Sequence, residues 1–482
     1  MKYHLPLSLL LLLSFKVLYL TGQAIDTLHF NPIGEFEYAG FYSAYTALPD
    51  QMERPYLYTA SNELGLVTFD ISDPRSPIPV DTILPFRLNN LKVSNLYQAG
   101  NLLYAALGGF QGAGQKPGLA IFDLSQPDQP ALQATWDTTA YQHGSAIVII
   151  EGNYAYLGLM RDGLLILDIS DKDQIRFVSH FLPDVNWPRP PGLFSHPNAR
   201  GMAVRNDTVF ICNDAGGLRL IDVHDKENPL EIAKYLHTDL DEVAQPAYNN
   251  IVLKDHYAFL AVDYCGLEVI DFSDPDHIHN VSWYNPWNCN GASWAGSPGH
   301  MNQLAYLAEK ALLFVSGGDS EVLAFDISDP TQLKKVGEWV NPLDSAACWG
   351  VSAMGNQVFL SFIDNSGIFI PGFQPFYSNF GGIKILEWET LPSALSETKT
   401  APALLAFPNP TNGLVHIQTD FFLTDKVQIQ LFDQSGRGRS LPAVFKSANE
   451  FAIDLSALPA GLYYLYFQQA DQVQWRKLVK TD

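Results

Sequence analysis

One short phrase recurs seven times along this chain of 482 residues, and its recurrence limits the folds that the chain can adopt. Each copy is an apolar run that ends on an acidic residue, as in the first copy, Gly-Leu-Val-Thr-Phe-Asp. The copies begin at Gly65, Gly118, Gly163, Gly217, Gly266, Glu321 and Gly382. Their closing acids lie 45 to 61 residues apart. A repeat of roughly 50 residues with strand-like content is typical of propellers and arrays.

The residues around each copy predict a unit of four strands. The phrase itself is typical of a strand that is buried on both faces. A second apolar run, such as residues 56–58, precedes it and completes a hairpin. A turn follows, clearest in the Asp-Ile-Ser-Asp-Pro of residues 70–74, and then a third strand such as 79–83. A fourth strand, such as 146–150, precedes the hairpin, and four strands make one propeller blade.

The last repeat has no outer strand after it, so the ring needs a strand from elsewhere. The pattern of an outer strand appears instead near residues 31–38, which resemble residues 329–339. We therefore predict an all-β fold in which residues 25–390 form a seven-bladed β-propeller. The strand near 31–38 would close blade seven and remove the open sheet edges that promote aggregation.

The acid that closes each copy has a structural explanation. A carboxylate at the end of a strand usually accepts hydrogen bonds from backbone N–H groups of the following turn. We expect this role, because seven catalytic acids spread around a ring would be implausible.

As a group, the copies of Gly-Leu-x-Ile-x-Asp-x-Ser-Asp-Pro resemble the LVIVD repeat of propeller-like surface proteins in bacteria and archaea. The resemblance implies a propeller but no single activity.

The two ends of the chain have compositions that differ from the repeats. Residues 1–24 combine Lys2, a Leu-rich run and small residues before Ile25, which is typical of a secretory signal peptide. A membrane anchor is the alternative, and no other stretch approaches spanning length, so we expect no membrane span after signal removal. Residues 391–404 are rich in Ser, Thr, Pro and Ala and are predicted to be a linker.

Residues 405–482 predict a separate small domain. Alternating apolar residues and turn signals favour an immunoglobulin-like β-sandwich. The Phe-Pro-Asn-Pro of 407–410, the Gly-Arg of 436–437, the Leu-Pro-Ala-Gly-Leu-Tyr of 458–463 and the Lys-Leu-Val-Lys of 477–480 resemble the C-terminal sorting domain of the type IX secretion system. An unrelated immunoglobulin-like domain is the alternative. The resemblance implies that residues 405–482 engage the type IX machinery and that the protein is secreted, either released or held at the outer-membrane surface of a Gram-negative bacterium.

Charge and cysteine content narrow the range of partners. The formal charge is −22, from 51 acids and 29 bases, and such a field repels nucleic acid. Four cysteines fit an oxidising compartment, and they allow three pairings between which the sequence does not choose. Cys289 and Cys348 lie in loops that lead into blades six and seven, and we favour a disulfide between them.

Long loops predict where a ligand would bind. In a propeller, the loops that lead into the innermost strands share a face with the loops of the central hairpins. Both sets are long here, for example 182–196, 285–294 and 365–377, whereas the opposite face carries the short Asp-x-Ser-Asp-Pro turns. Elaborated loops on one face of a rigid scaffold usually carry function.

Polar and aromatic residues on that face are the candidate ligand-binding residues. The polar candidates are His143, Asp162, His196, Arg200, Asn250, Asp263, His300, Asn302 and Asp319. The aromatic candidates are Trp287, Trp294 and Trp349. The polar set would bind a divalent cation or a polar ligand at the axial channel, and His143, His196 and His300 would suit a transition metal. Alternatively, the polar set bonds loop backbone and axial water, and the Trp rings pack the loops rather than contact a sugar or protein.

These observations leave three hypotheses for function. The first is a surface-displayed binding or adhesion module for a glycan, peptide or matrix ligand. The second is a secreted metal-dependent enzyme, a hydrolase or oxidoreductase, built on the axial histidines. The third is a structural component of a surface layer. The sequence contains no Gly-x-Ser-x-Gly and no His-Glu-x-x-His, so we favour the first hypothesis over an enzyme.

Overall fold

The structure is a computed structural model. It describes residues 27–481 except 41, 110–113, 193–195, 241–245, 290–296, 298, 319–320, 342–345, 367–377, 391–404, 410, 420–422, 424–426, 434–437, 440, 448 and 470–471. The predicted signal peptide (1–24) and linker (391–404) therefore lie outside the described residues, as do the candidates Trp294 and Asp319.

The strands of the first four blades follow one another along the chain. The exception is the first strand, β1 (Leu28–Glu37), which belongs to the last blade. Blade one holds β2 (Thr46–Pro49), β3 (Tyr56–Ser61), β4 (Gly65–Asp70) and β5 (Ile78–Ile83). Blade two holds β6 (Val93–Ala99), β7 (Leu102–Leu107), β8 (Gly118–Asp123) and β9 (Ala131–Asp137). Blade three holds β10 (Ile147–Glu151), β11 (Tyr154–Gly158), β12 (Leu164–Asp168) and β13 (Arg176–Phe181). Blade four holds β14 (Pro197–Arg205), β15 (Thr208–Asp214), β16 (Leu218–Asp222) and β17 (Leu230–Tyr235).

The last three blades complete the series. Blade five holds β18 (Asn250–Lys254), β19 (Tyr257–Ala261), β20 (Leu267–Asp271) and β21 (His279–Tyr284). Blade six holds β22 (Leu304–Leu307), β23 (Leu312–Ser316), β24 (Val322–Asp326) and β25 (Lys334–Trp339). Blade seven holds β26 (Ala347–Met354), β27 (Gln357–Ile363), β28 (Gly382–Thr390) and β1. Short 3-10 helices among the described residues span Pro85–Arg87, Thr238–Leu240, Pro275–His277 and Ala308–Lys310.

The N-terminal strand β1 occupies the outermost position of blade seven. It runs antiparallel to β28, from the pair Leu28 and Thr390 to the pair Glu37 and Gly382. In every blade the outermost strand carries one extra residue opposite the same two positions of the repeated phrase. This extra residue is Val80 in blade one. It is Ile33 in blade seven, so β1 reproduces the local geometry of the other outer strands.

The hydrophobic core consists of seven clusters, each shared by two neighbouring blades. One of them joins blade seven to blade one through residues such as Phe359, Ile385, Leu57 and Phe69. Each fully buried large apolar side chain contributes about 1.5–3 kcal/mol relative to exposure. Because the clusters form a continuous ring, every described blade is covered on both faces. The predicted all-β fold with a seven-bladed propeller is confirmed.

The acids that end the repeated phrase stabilise turns. In six copies a carboxylate oxygen accepts a hydrogen bond of 2.7–2.9 Å from the backbone N–H two residues further on. These acids are Asp70, Asp123, Asp168, Asp222, Asp271 and Asp326. Asx turns of this kind are a general role of Asp. The recurrent acid is therefore a structural element of the repeat, as the sequence predicted.

Four buried charged residues depart from the repeated phrase. Its third position is apolar in four copies but is Arg219, Glu268 and Lys384 in blades four, five and seven, and all three side chains are buried. The fourth departure is Glu321, which replaces the opening Gly of the sixth copy. The side chain of Lys384 lies 3.7 Å from that of Glu321 and is 5 % exposed. Two irregularities of the sequence thus form an ion pair between blades six and seven.

The other two buried charges lie in blades four and five. Arg219 Nη1 contacts Glu231 at 2.8 Å, and its guanidinium lies over the ring of Trp187. The carboxylate of Glu268 accepts hydrogen bonds from the hydroxyls of Tyr235 (2.6 Å) and Tyr248 (2.8 Å). Burial raises the pKa of Glu268, and these hydrogen bonds oppose the rise.

The favoured cysteine pairing is wrong. Cys265 forms a disulfide with Cys289, and Cys212 and Cys348 are buried free thiols. The two residues of the predicted pair lie in different cores. Cys289 packs between blades four and five, whereas Cys348 packs between blades six and seven. The loop that contains Cys289 therefore returns to the hairpin of its own preceding blade rather than reaching the next one.

The C-terminal residues form two further four-stranded sheets. One contains β29 (Leu405–Phe407), β30 (Leu414–Gln418), β34 (Glu450–Asp454) and β33 (Ala443–Ser447). The other contains β32 (Gly438–Arg439), β31 (Gln428–Asp433), β35 (Gly461–Gln469) and β36 (Gln472–Lys480). Residues of both sheets, including Ile417, Phe451 and Leu465, share one core, which makes the predicted β-sandwich. Among the described residues, no helix has the length and apolar character needed to cross a membrane.

Candidate functional site at the mouth of the propeller

The two faces of the propeller differ in the length of their connections. We define the mouth face as the face where residues lead into the innermost strands and where the central hairpins turn. On the opposite face, the six turns that follow the repeated phrase in blades one to six each contain seven residues, for example 71–77 and 272–278. On the mouth face the connections reach 182–196, 285–303 and 364–381. The bounds of the strands therefore agree with the predicted difference in loop length between the two faces.

Backbone bridges at the mouth connect neighbouring blades from blade two to blade seven. In five places a residue in or beside the turn of one central hairpin forms a β-bridge with a residue in or just before the innermost strand of the following blade. The bridged pairs are Gly108 and Ser145, Met160 and Ala199, Asp214 and Tyr248, Asp263 and Met301, and Gly318 and Cys348. The candidate Asp263 is one of these bridged residues, and the candidates His300 and Asn302 flank its partner Met301, so this part of the predicted site lies on backbone contacts between blades.

A small polar cavity of about 20 Å³ lies where the innermost strands converge. Its wall contains five amide side chains together with Arg200 and Trp349. The amides are Asn95, Asn249, Asn250, Asn302 and Gln303. A cavity of this volume holds about one water molecule. The guanidinium of Arg200, which lies 5.3 Å from the centre of the Trp349 ring, adds a fixed positive charge that disfavours the divalent cation considered above.

The amides of the cavity bond to one another in a defined orientation. Asn249 Nδ2 donates to Asp263 Oδ2 at 3.1 Å, to the carbonyl of Met301 at 3.0 Å and to Asn302 Oδ1 at 3.1 Å. Asn249 Oδ1 and Asn302 Nδ2 are buried, and neither has a hydrogen-bond partner within the part of the chain that the structure describes. One acceptor and one donor in a cavity of this size suit a bridging water.

The candidate His300 is held by the candidate Asp263. Both side chains are buried, and His300 Nδ1 is hydrogen-bonded to Asp263 Oδ1. Burial by itself would raise the pKa of Asp263. The charge and hydrogen bond of His300, with help from Arg200 and Asn249, outweigh burial and hold that pKa below its usual value. Asp263 therefore stays ionised inside the mouth.

A second pair of candidates lies at blade three. His143 Nδ1 is 3.1 Å from Asp162 Oδ2, and the backbone N–H groups of Gln142 and His143 donate to the same oxygen at 2.9 Å. His196 lies close enough to be influenced by His143, and its pKa is lowered by burial and by the charges of Arg161 and His143. Within the described ranges, no three His, Cys, Asp or Glu side chains are grouped so as to hold a metal ion.

The two described Trp candidates have different surroundings. Trp287 packs on the core between blades five and six, and a Cβ placed on Gly299 would lie 2.1 Å from its ring. Trp349 lines the axial cavity and meets Tyr45 edge to face, with ring centres 5.7 Å apart. Trp287 therefore packs a loop onto the blades, and only Trp349 joins the polar candidates.

The axial residues occupy one repeated position, at which sequence analysis named only some of the residues, among them Arg200, Asn302 and Trp349. The strand registers place one residue of each innermost strand at an equivalent level beside the axis. These residues are Tyr45, Ser94, Ala146, Arg200, Asn249, Asn302 and Trp349. Asn95 and Gln303, which immediately follow two of them, were not in the predicted set. Aligning the innermost strands by their pairing with the second strand would have found them.

Replacing Asp214 with asparagine is expected to change how stability depends on pH. Burial raises the pKa of Asp214 to about 6, although Arg200 opposes the rise, and Oδ2 accepts a 2.8 Å bond from Asn198. A carboxyl whose pKa is raised in the folded state stabilises below its unfolded pKa and loses that contribution as pH rises through about 6. Asn keeps the acceptor and tolerates the positive φ of 50°.

Thermal melting of both proteins between pH 4 and 8 checks this prediction. The midpoint of the Asp214→Asn variant should exceed that of the unmodified protein at pH 7 and above, and the difference should shrink towards pH 4. Parallel melting curves across this range would show that Asp214 does not titrate near 6.

Comparisons with known proteins agree with this architecture. A family model described as "LVIVD repeat" matches residues 55–83, 144–182 and 248–285. The model "Secretion system C-terminal sorting domain" matches residues 405–481. No curated protein matches the chain.

Two solved structures share the fold at low sequence identity. The structure of U3-55K has 10 % identity and a TM-score of 0.51, covering 76 % of this chain and 99 % of its own. The crystal structure of RRP9 WD40 repeats has 9 % identity and a TM-score of 0.50, with the same coverage of 76 % and 99 %. At such identities the likeness establishes the propeller fold alone.

The C-terminal match determines where the protein acts. The sorting domain marks a protein that is exported by the type IX secretion system to the cell surface or extracellular space, and it implies contact with that machinery. The repeats and the seven blades account for the described part of the chain before it. The chain is thus an LVIVD-repeat β-propeller protein with a C-terminal secretion sorting domain.

Proposed function

We propose that this exported propeller is a binding or adhesion module whose mouth face contacts a glycan, peptide or matrix ligand. The observation that carries the proposal is the unequal elaboration of the two faces. Six connections of seven residues on one face contrast with three connections of 15 to 19 residues on the other, at 182–196, 285–303 and 364–381. Long connections on one face of a rigid scaffold are the usual carriers of binding function.

The small size of the axial cavity favours a ligand that binds on the surface of the mouth face over one that enters the axial channel. The axial cavity has room for about one water molecule, so a larger ligand would rest on the surrounding loops. Arg200 and Trp349 are the described residues best suited to such contact, because they present a cation and an indole beside the axis. Trp and Arg are enriched among the residues that dominate binding energy.

A binding screen of the full mature protein tests the proposal. The labelled protein is applied to arrays of glycans, peptides and matrix proteins, and each positive is repeated with Arg200→Ala and Trp349→Ala. We expect each variant to lose roughly tenfold or more in affinity, as contact residues of this type do. Glu227→Gln, on an exposed turn of the opposite face, is the matched control and should bind normally.

Two results would contradict the proposal. Either ligands are retained by both mouth variants, or no ligand binds and the protein instead self-associates with concentration, as a surface-layer component would. Metal analysis of the same preparation addresses the enzyme alternative, which requires about one metal ion per chain at the histidines.

A further inference from the structure

A second cavity, a groove with mixed polar and aromatic lining, lies at the outer rim of the propeller, away from the axial cavity. It has a volume of about 370 Å³ and lies where blade seven meets its neighbours. We define the rim groove by Gly34 and Glu35 of β1, Arg75 of the blade-one turn, Trp339 and Asn341 after β25, and Lys384 of β28. Pockets of roughly 300 Å³ and above are the size that small-molecule ligands occupy.

The shape of the groove depends on the closing strand. β1 carries its extra residue between Pro32 and Gly34, so the strand bulges beside the groove. A Cβ placed on Gly34 would lie 2.0 Å from the carbonyl oxygen of Pro74, so only glycine allows the blade-one turn to approach this closely. The groove is thus formed by the contact between the strand and its neighbours.

The cations of the groove are already neutralised by the protein itself. Lys384 Nζ lies 3.7 Å from Glu321 Oε2 and about 5 Å from the ring centres of Trp339 (5.3 Å), Phe362 (4.8 Å) and Phe380 (5.0 Å). Arg75 binds Asp73 through two nitrogens, at 2.8 and 3.1 Å. No excess of positive charge is therefore left in the groove to select an anionic ligand.

The remaining chemistry suits a ring that carries hydroxyls. Trp339 supplies an aromatic surface, whose negative face attracts the weakly positive C–H groups of a sugar. The Glu35 carboxylate accepts hydrogen bonds from hydroxyls, and the Asn341 amide both donates and accepts them. We propose that the rim groove binds a neutral saccharide, one ring of which stacks on Trp339 while its hydroxyls bond to Glu35 and Asn341. The proposal rests on the binding function proposed above and gives it a second, sugar-specific contact.

Blade two provides a matched control for the role of Trp339. Trp339 pairs with Val322 in blade six, and Trp136 pairs with Leu119 at the equivalent position of blade two. Both Trp residues lie at the mouth-side end of an outer strand and are partly exposed. Removing either ring should perturb an outer strand to a similar extent, whereas only one of them lines the rim groove.

Direct binding to defined sugars tests the proposal. The full mature protein is titrated by calorimetry with cellobiose, maltose, lactose and mannobiose, and with digalacturonic acid as the charged comparison. At least one neutral disaccharide should bind saturably and more tightly than the charged sugar. Trp339→Ala should weaken that binding by roughly tenfold or more, as loss of a central aromatic contact does. Glu35→Gln, which changes an exposed side chain, should weaken it by a smaller factor, and Trp136→Ala should leave it unchanged.

The outcomes separate this proposal from the one on which it rests. Saturable binding that is lost with Trp349→Ala but kept with Trp339→Ala overturns the rim groove and leaves the mouth as the glycan site. Failure of every neutral sugar to bind overturns the rim groove, while the mouth can still be tested with peptides and matrix proteins. Equal losses in Trp339→Ala and Trp136→Ala, with lowered melting temperatures, would assign a purely structural role to Trp339. That outcome also overturns the proposal unless Glu35→Gln weakens binding at an unchanged melting temperature.

Discussion

Replacing Lys384 with alanine is expected to lower the free energy of unfolding by about 3–5 kcal/mol, because it leaves Glu321 buried without its cation. Glu321 is 1 % exposed and lies between blades six and seven. A buried charge that loses its partner keeps its full cost of desolvation. Urea denaturation followed by tryptophan fluorescence gives the free energy directly.

A double variant separates the cost of removing Lys384 alone from the net contribution of the ion pair to stability. Glu321→Gly combined with Lys384→Leu restores the repeated phrase at both positions. Glycine also suits position 321, where φ is +49°. We expect this variant to be about as stable as the unmodified protein, since apolar replacement of a buried ion pair is often neutral or stabilising.

A surface pair is the control for this experiment. Lys335 and Glu338 also form an ion pair, but both side chains are at least a third exposed. Exposed pairs contribute about 0–1 kcal/mol, so Lys335→Ala should have little effect. If Lys384→Ala costs no more than Lys335→Ala, Lys384 does not compensate the buried charge of Glu321.

Deleting residues 27–38 is expected to abolish the folded monomer. The deletion removes β1, exposes the hydrogen-bonding edge of β28 and takes Leu28 and Phe30 out of the core between blades six and seven. An unpaired edge beside an exposed apolar core favours aggregation. Size-exclusion chromatography and circular dichroism should show aggregates, or a chain without a cooperative melting transition.

A rearranged chain tests whether the loss comes from the missing strand. The variant starts at residue 39, and residue 390 is followed by the seven-residue turn of blade six (327–333) and then by residues 28–38. This order copies the connection found in blades one to six. If the rearranged chain regains a cooperative melting transition, the defect of the truncated chain results from the loss of the strand that closes the ring. A truncated chain that melts like the full protein would show that β1 is dispensable.

The sequence predicts the backbone of this protein better than its side-chain partners. The repeated phrase specifies strand, hairpin and turn in each blade, because its apolar run and its terminal Asp act locally. The outer strand near 31–38 could be matched to residues 329–339 for the same reason. These features can be predicted from the length of the repeat and the residue types alone.

Contacts between blades do not follow from the period. Cys289 pairs with Cys265 because its loop turns back towards the preceding hairpin, and loop direction has no sequence signal here. His143 and His300 were expected to serve one metal, yet each is bound to an Asp of its own surroundings. Lys384 is a charged residue at an otherwise apolar position, and this is evident from the sequence. Its partner Glu321 is identified only by the packing of blade seven on blade six.

The pairing of Leu28 with Thr390 also determines how the propeller can be held. Both residues lie at the end of blade seven that is remote from the mouth, so the chain enters β1 and leaves β28 on the same side of the ring. If the protein is attached to the surface through its tail, the attachment is on the side of β28 opposite the mouth, and the elaborated loops lie on the other face of the ring. Force applied through the tail would act directly on β28, which is held by its ladders to β1 and β27.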